Sequence, residues 1–262
     1  MTSAPVVWNP SVYLNFAAYR ARPVEDLLPR IALPDAGVLY DLGCGPGNVT
    51  ARLKERWPDR TVVGLDSSAE MLEAARRSYP AGIAWEHADI AAWTPPAPPA
   101  MVFSNAALHW LPGHEELFPR LAACLAPKGV FAAQMPVGQG APYHVHLDEL
   151  ARAPRWAAKV ARGYRQRAPL AAEHYYDLLA PLLGHLNIWA TDYHHVLEGE
   201  DPVVAWAAGT ALRPYTSLLD ENEAAEFTAA YAAALRQAYP PQADGRTIFC
   251  MRRIFIVGRR RS

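Results

Sequence analysis

A doubly wound α/β fold, with a mostly parallel seven-stranded sheet and helices on both faces, is what this 262-residue sequence predicts. Short β-rich runs alternate with helical patterns of about ten residues through the first half of the chain, the signature of βαβ units. The first run, 38–42, ends in Asp41 and a glycine cluster, at the position where such sheets bind ligands. An arginine-rich stretch without strands, 137–184, then interrupts the alternation and reads as a helical cap insertion.

The elements follow in order. After the run 38–42, Val49, Leu53 and Trp57 recur at helical spacing. A second strand, 61–65, is closed by Asp66, and Ser67-Ser68 offers an N-cap for a helix through Met71, Leu72 and Ala75 that Pro80 ends. Strands at 83–86, 100–104 and 130–135 and a helix around 115–125 continue the pattern. A strand at 185–197, helices at 201–208 and 221–239 and a final strand at 247–257 complete it, with Arg259–Arg261 read as a solvated tail. The whole reads as a single domain: an N-terminal lid (1–30), a cofactor-binding half (31–136), the cap (137–184) and C-terminal strands and helices (185–262).

Composition bounds the function. Hydrophobic residues at 51% and charged ones at 19% suit a globular chain, and a formal net charge of −1 gives no global attraction to nucleic acid or an anionic membrane. No apolar run approaches a membrane span and the N-terminus lacks a signal-peptide pattern, so a cytoplasmic protein is expected. Three cysteines, far apart and without CxxC spacing, make no disulfide framework. The pairs His144/His146 and His194/His195 lack the cysteines or acids of zinc sites, so no metal is expected. Only three of the 25 basic residues are lysines, which leaves individual arginines open as carboxylate ligands.

The turn Asp41-Leu-Gly-Cys-Gly-Pro-Gly47 carries glycines at 43, 45 and 47 with Asn48 where a dinucleotide fingerprint would place its last glycine. Asp66 ends the second strand 19 residues after Gly47, where a carboxylate can accept both hydroxyls of a ribose. This DxGxGxG spacing resembles the S-adenosylmethionine motif of class I methyltransferases, with their Rossmann-like sheet. That resemblance implies S-adenosyl-L-methionine as cofactor and S-adenosyl-L-homocysteine as product. It places Asp41, Gly43, Gly45, Gly47, Asn48, Asp66, Ser67 and Met71 in the cofactor site, with Asp89 receiving the adenine amino group and Ile90 lining the ring. Tyr13, Phe16 and Arg20, at i, i+3 and i+7, would lay one helical face over the cofactor. Asn105 follows the fourth strand at the reacting edge. A plain α/β fold with turn glycines and a nicotinamide enzyme are the weaker alternatives.

Over nearly its whole length the chain resembles the trans-aconitate 2-methyltransferase family. The resemblance rests on Trp8-Asn-Pro-Ser-Val-Tyr-Leu14, the glycine turn, Gly64-Leu-Asp-Ser-Ser68, Ser104-Asn-Ala-Ala-Leu-His-Trp-Leu111, Gln134-Met-Pro136, Leu212-Arg-Pro214 and Arg253-Ile-Phe-Ile-Val257. It departs from the family pattern at Val137-Gly138 and at Tyr143 before His144. It implies methylation of a carboxylate of trans-aconitate, or of a related di- or tricarboxylic acid, to a monomethyl ester. A carboxylate is already an anion at neutral pH, so in-line transfer from a sulfonium requires no general base, only alignment and counter-charges. Arg213 and Arg253 are the expected substrate residues, with His144, Tyr175, Tyr176 and Trp110 beside them. The partner is therefore a small polycarboxylate, with no nucleic acid, membrane or obligate protein partner. Two rivals stand beside this: a carboxyl methyltransferase acting on a malonyl-carrier thioester, docking through Arg152–Arg167, and a non-catalytic cofactor-binding module.

Overall fold

A computed structural model describes residues 17–138, 140–163 and 169–261. The first half alternates as its periodicity dictates: α1 (Ala17–Leu27), β1 (Leu39–Leu42), α2 (Asn48–Arg56), β2 (Val62–Asp66), α3 (Ala69–Ser78), β3 (Ala84–His87), β4 (Met101–Asn105), α4 (His114–Ala123) and β5 (Val130–Pro136). A 3-10 turn, Leu108–Trp110, leaves β4. Then come α5 (Pro142–Arg152), α6 (Ala172–Leu179), β6 (Leu183–Leu197), α7 (Pro202–Ala208), α8 (Arg213–Thr216), α9 (Glu221–Ala238) and β7 (Thr247–Arg260).

The seven strands lie in the order β3-β2-β1-β4-β5-β7-β6, and β1 to β5 are mutually parallel. β1 and β4 are apolar and buried nearly throughout, as strands covered by helices on both faces must be. Their shared direction brings Asp41, Asp66, Asn105 and Pro136 to one end, the C-terminal edge. β7 runs antiparallel to β5, from Val130↔Arg259 to Pro136↔Arg253.

That register corrects the reading of Arg259–Arg261 as a solvated tail. The Arg260 amide donates to Gly129 O at 2.7 Å, and the Arg259 and Arg261 guanidinium groups donate to Ala32 O at 2.9 Å and Ala180 O at 3.0 Å. Pairing satisfies this segment's backbone, which water would otherwise have to do.

The chain divides into two compact units. A sheet unit comprises Ala17–Pro136, Pro169–Thr191 and the chain from Arg253 on; a helical unit comprises Val137–Ala168 and Asp192–Arg252. The division differs from a simple 137–184 insert in one domain: α6 belongs to the sheet unit, and α7 to α9 join α5 in the helical one. In the helical unit, Trp156 and Tyr215 pack on Phe227 of α9, and the Tyr231 hydroxyl donates to Tyr143 O at 2.7 Å. No helix among the described residues is long and apolar enough to cross a membrane.

Candidate active site

Backbone geometry builds the first half of the site. From β1 the chain turns through Gly43 and Gly45, with φ of +75° and +55°, and enters α2 at Gly47. At Gly43 a Cβ would stand 2.2 Å from the Ala107 Cβ, so glycine lets this turn close against the segment after β4. At Gly45 nothing lies within 4 Å of the Cβ position, so the left-handed backbone there faces open space. The turn is pinned by Gly43 N and Cys44 N donating to Leu65 O at 2.7 and 3.0 Å. Amide groups at the start of α2 point toward the turn, a polarity that suits the carboxylate of a bound amino acid moiety.

Asp66 locks β2 to this turn: Oδ2 accepts Gly45 N and Oδ1 accepts Ser68 N, both at 2.8 Å. Each oxygen keeps a lone pair for a further donor. Burial pushes the Asp66 carboxyl up, and the Ser68, Gly45 and Ser67 amides pull it back. The Ser68 hydroxyl caps α3 by accepting Met71 N, and buried Met71 follows. Ser67 is exposed, its carbonyl 3.0 Å from His87 Nε2.

Asp41 is the opposite case. It is 1% exposed and accepts the Thr50 hydroxyl at 2.6 Å. Burial pushes its carboxyl up to about 7, against the Thr50 hydrogen bond and reinforced by the Asp66 charge. Beside it, burial raises the Cys44 thiol, which stays protonated and inert.

Asp89 is exposed after β3, with Oδ1 accepting Ala91 N at 2.9 Å, while neighbouring Ile90 is buried and its Cδ1 lies 3.6 Å from the Gly43 Cβ position. The structure thus brings the acids at the ends of β1 and β2 and the hydrophobe after β3 around one glycine turn. Arg120, which the sequence reading missed, clamps this border by donating to the Trp93, Ile90 and Ala91 carbonyls. No sequence signal links a helix arginine to carbonyls some 30 residues away.

On the acceptor side, Ala106 holds a φ of +54° after β4, and the Oδ1 of Asn105 is buried with no hydrogen-bond partner among the described residues. Such a strained, unsatisfied corner at the ligand end of a parallel sheet is a mark of function. Trp110 is half-buried, its ring 4.8 Å from that of His109. Arg253 is 4% exposed, and its Nη1 donates to Gln134 Oε1 at 3.2 Å.

Tyr175, expected beside the substrate, is instead fully buried in the core of the sheet unit. Its hydroxyl meets His114 Nδ1 at 2.7 Å and accepts Leu170 N at 3.2 Å, and its ring packs on Phe118. Tyr176 is 55% exposed. Tyr13, Phe16 and the Arg20 side chain lie outside the described residues.

In the helical unit, Arg213 opens α8, half-buried, and its guanidinium makes no hydrogen bond or ion pair among the described residues. His144 packs on Gly138, where a Cβ would be 2.1 Å from its ring, and burial holds its imidazole down at about 4, so it is neutral at physiological pH. The basic stretch considered for carrier docking is neutralised at three positions: Arg152 pairs with Asp148, Arg155 with Glu226 and Lys159 with Glu223. Among the described residues no three His, Cys, Asp or Glu side chains converge as a metal site.

Comparison with known proteins agrees with this geometry. Residues 39–129 match the methyltransferase domain family. The chain is 48% identical over 251 residues to the trans-aconitate 2-methyltransferase of Azoarcus sp. (strain BH72), covering 95% of this chain and 98% of that protein. It is 45% identical to the one from Methylobacterium nodulans, covering 97% and 98%. Among solved structures, the YcgJ protein from Bacillus subtilis aligns with a TM-score of 0.58 at 15% identity, covering 94% of this chain and 99% of that one. Haemonchus contortus phosphoethanolamine N-methyltransferase 2, in complex with S-adenosyl-L-methionine, aligns with a TM-score of 0.53 at 16% identity, covering 92% and 53%. At such identities these two speak for the fold alone.

Proposed function

The chain belongs to the trans-aconitate 2-methyltransferase family, and from that premise we propose that it methylates one carboxylate of trans-aconitate to the monomethyl ester. The identity of nearly half the residues across the full length of a relative bearing that activity carries the reading. S-adenosylmethionine, when bound, supplies a methyl group on a sulfonium for in-line attack by an oxygen.

The chain's own residues do the rest. The Asp66 carboxylate, anchored by two amides, has lone pairs free for the ribose hydroxyls. The open face of Gly45 admits the amino acid moiety, and the Asn105 oxygen suits its ammonium. Asp89 and Ile90 serve the adenine. Asp41 lends negative charge to a cationic ligand and braces α2 through Thr50. Arg253 is the proposed counter-charge for a carboxylate of the acid, with Trp110 as a wall beside it in the sheet unit. Arg213 and neutral His144, each described within the helical unit alone, are proposed as substrate residues on the family resemblance. No titrating base is placed on the acceptor, because the acceptor arrives ionised.

The test is direct. Purified protein with methyl-labelled cofactor and trans-aconitate should yield labelled monomethyl ester, identified by mass spectrometry. Turnover of another di- or tricarboxylic acid with trans-aconitate left untouched would refute the substrate assignment.

A further inference from the structure

On the ligand edge of the sheet, Asn105 and Gln134 are register partners on β4 and β5, so their side chains share one face. Two residues on from Gln134, Pro136 pairs with Arg253 of β7, which puts the guanidinium on that face too. Gln134 is fully buried. Its Oε1 accepts Arg253 Nη1 at 3.2 Å, while its Nε2 is buried and has no hydrogen-bond partner among the described residues.

We propose that Gln134 is a substrate-binding residue: its amide holds Arg253 through Oε1 and presents Nε2 beside the guanidinium, so that the two side chains form one donor surface for a carboxylate of the acid. The assignment rests on the carboxylate substrate proposed above. Three physical points support it. A neutral amide orients a guanidinium without cancelling its charge, whereas a glutamate there would form an internal ion pair and repel an incoming anion. Buried amide N–H groups left without an acceptor are rare in folded proteins, and a ligand oxygen is what this one lacks. The donors sit at the C-terminal ends of the strands, where α/β sheets bind their ligands.

The experiment compares the parent with Gln134→Glu and Gln134→Met, reading S-adenosylhomocysteine affinity by calorimetry, melting temperature, and kcat and KM for trans-aconitate. Gln134→Glu should raise KM for the acid by about ten- to a hundred-fold, and Gln134→Met by a smaller factor. S-adenosylhomocysteine affinity should stay within about twofold of the parent, since Gln134 is assigned to the acid. If a buried glutamate prevents folding, the isosteric, uncharged Met variant decides alone. An unchanged KM, or a KM rise accompanied by an equal loss of S-adenosylhomocysteine affinity, would overturn the assignment while leaving the activity standing. A parent inert towards trans-aconitate would overturn the substrate reading and this inference together, and is told apart by the parent's own assay.

Discussion

His114 Nδ1 and the Tyr175 hydroxyl lie 2.7 Å apart inside the sheet unit, with His114 Nε2 3.0 Å from Leu108 O. Burial raises the Tyr175 hydroxyl and lowers the His114 imidazole, so both are neutral at physiological pH. The tyrosine then donates to Nδ1, Nε2–H donates to the Leu108 carbonyl, and the 3-10 turn carrying Trp110 is tied to α6. Tyr175→Phe keeps the ring packing but strands a buried imidazole nitrogen and the Leu170 amide. Roughly 1–3 kcal/mol of stability should be lost, measured by urea denaturation at pH 7.5. The His114 contribution has a defined sign: a depressed folded-state pKa gives stability present above the ordinary histidine value and lost as pH falls through the folded one. An unchanged midpoint in the Phe variant would mean that the hydrogen bond contributes nothing net.

Asp41 titrates with the opposite consequence. Its folded pKa of about 7 lies above the ordinary aspartate value, so the folded state holds an extra proton between about pH 4 and 7. The stability it contributes is full below pH 4 and is lost as pH rises through 7. A cationic cofactor favours the ionised form, so binding should tighten by about tenfold from pH 6 to pH 8 and release about half a proton at pH 7. Calorimetry in buffers of different ionisation enthalpy reads both. In Asp41→Asn the pH dependence should vanish; its persistence would assign the proton elsewhere. If the acceptor arrives ionised and needs no base, as proposed, kcat at saturating acid and cofactor should stay nearly flat from about pH 6 to 9.

If Asp66 accepts the ribose hydroxyls as proposed, Asp66→Ala should weaken S-adenosylmethionine binding by about an order of magnitude or more through the loss of two charge-assisted hydrogen bonds. Part of that loss has a structural origin: the same carboxylate anchors Gly45 N and Ser68 N. Asp66→Asn separates the two, because its amide oxygen can still take one of those donors. Affinity in the Asn variant falling between parent and Ala supports both roles, and unchanged affinity in Ala would remove Asp66 from the site.

Much of this was legible in the sequence because it is local. β1, β2, β4 and β5 are buried on both faces and so read as short apolar runs, and Ser68 caps α3 at the position its spacing indicates. The glycine turn works through backbone conformation, which residue type alone reports. What escaped notice depends on distant pairing. Helical periodicity does not say which tyrosine of Tyr175-Tyr176 faces inward, and the choice is made by His114, 61 positions away. Gln134 and Arg253, 119 positions apart, become neighbours only when β7 returns antiparallel to β5. Charge runs mislead for a related reason: Arg259–Arg261 reads as a loose tail until the returning strand gives its backbone partners.

Arg213 offers the sharpest test of substrate recognition in the helical unit. It begins α8 ahead of Pro214, whose ring stiffens the turn, and its guanidinium is half-buried without a hydrogen bond or ion pair among the described residues. A partly desolvated cation kept in this way is suited to a ligand anion. If it holds a carboxylate that does not react, the contact is the same in ground and transition states, so Arg213→Ala should raise KM for trans-aconitate and leave kcat nearly unchanged. A charge-assisted bidentate pair contributes roughly 1.5–3 kcal/mol, about ten- to a hundred-fold in KM. Arg213→Lys should recover only part, since an ammonium keeps the charge and loses the fork. A matched monocarboxylate, with no remote carboxylate to hold, should be a poor substrate of the parent and indifferent to either substitution. Steady-state kinetics on the two acids decide it: equal losses on both, or none on either, would show that Arg213 does not read the remote carboxylate.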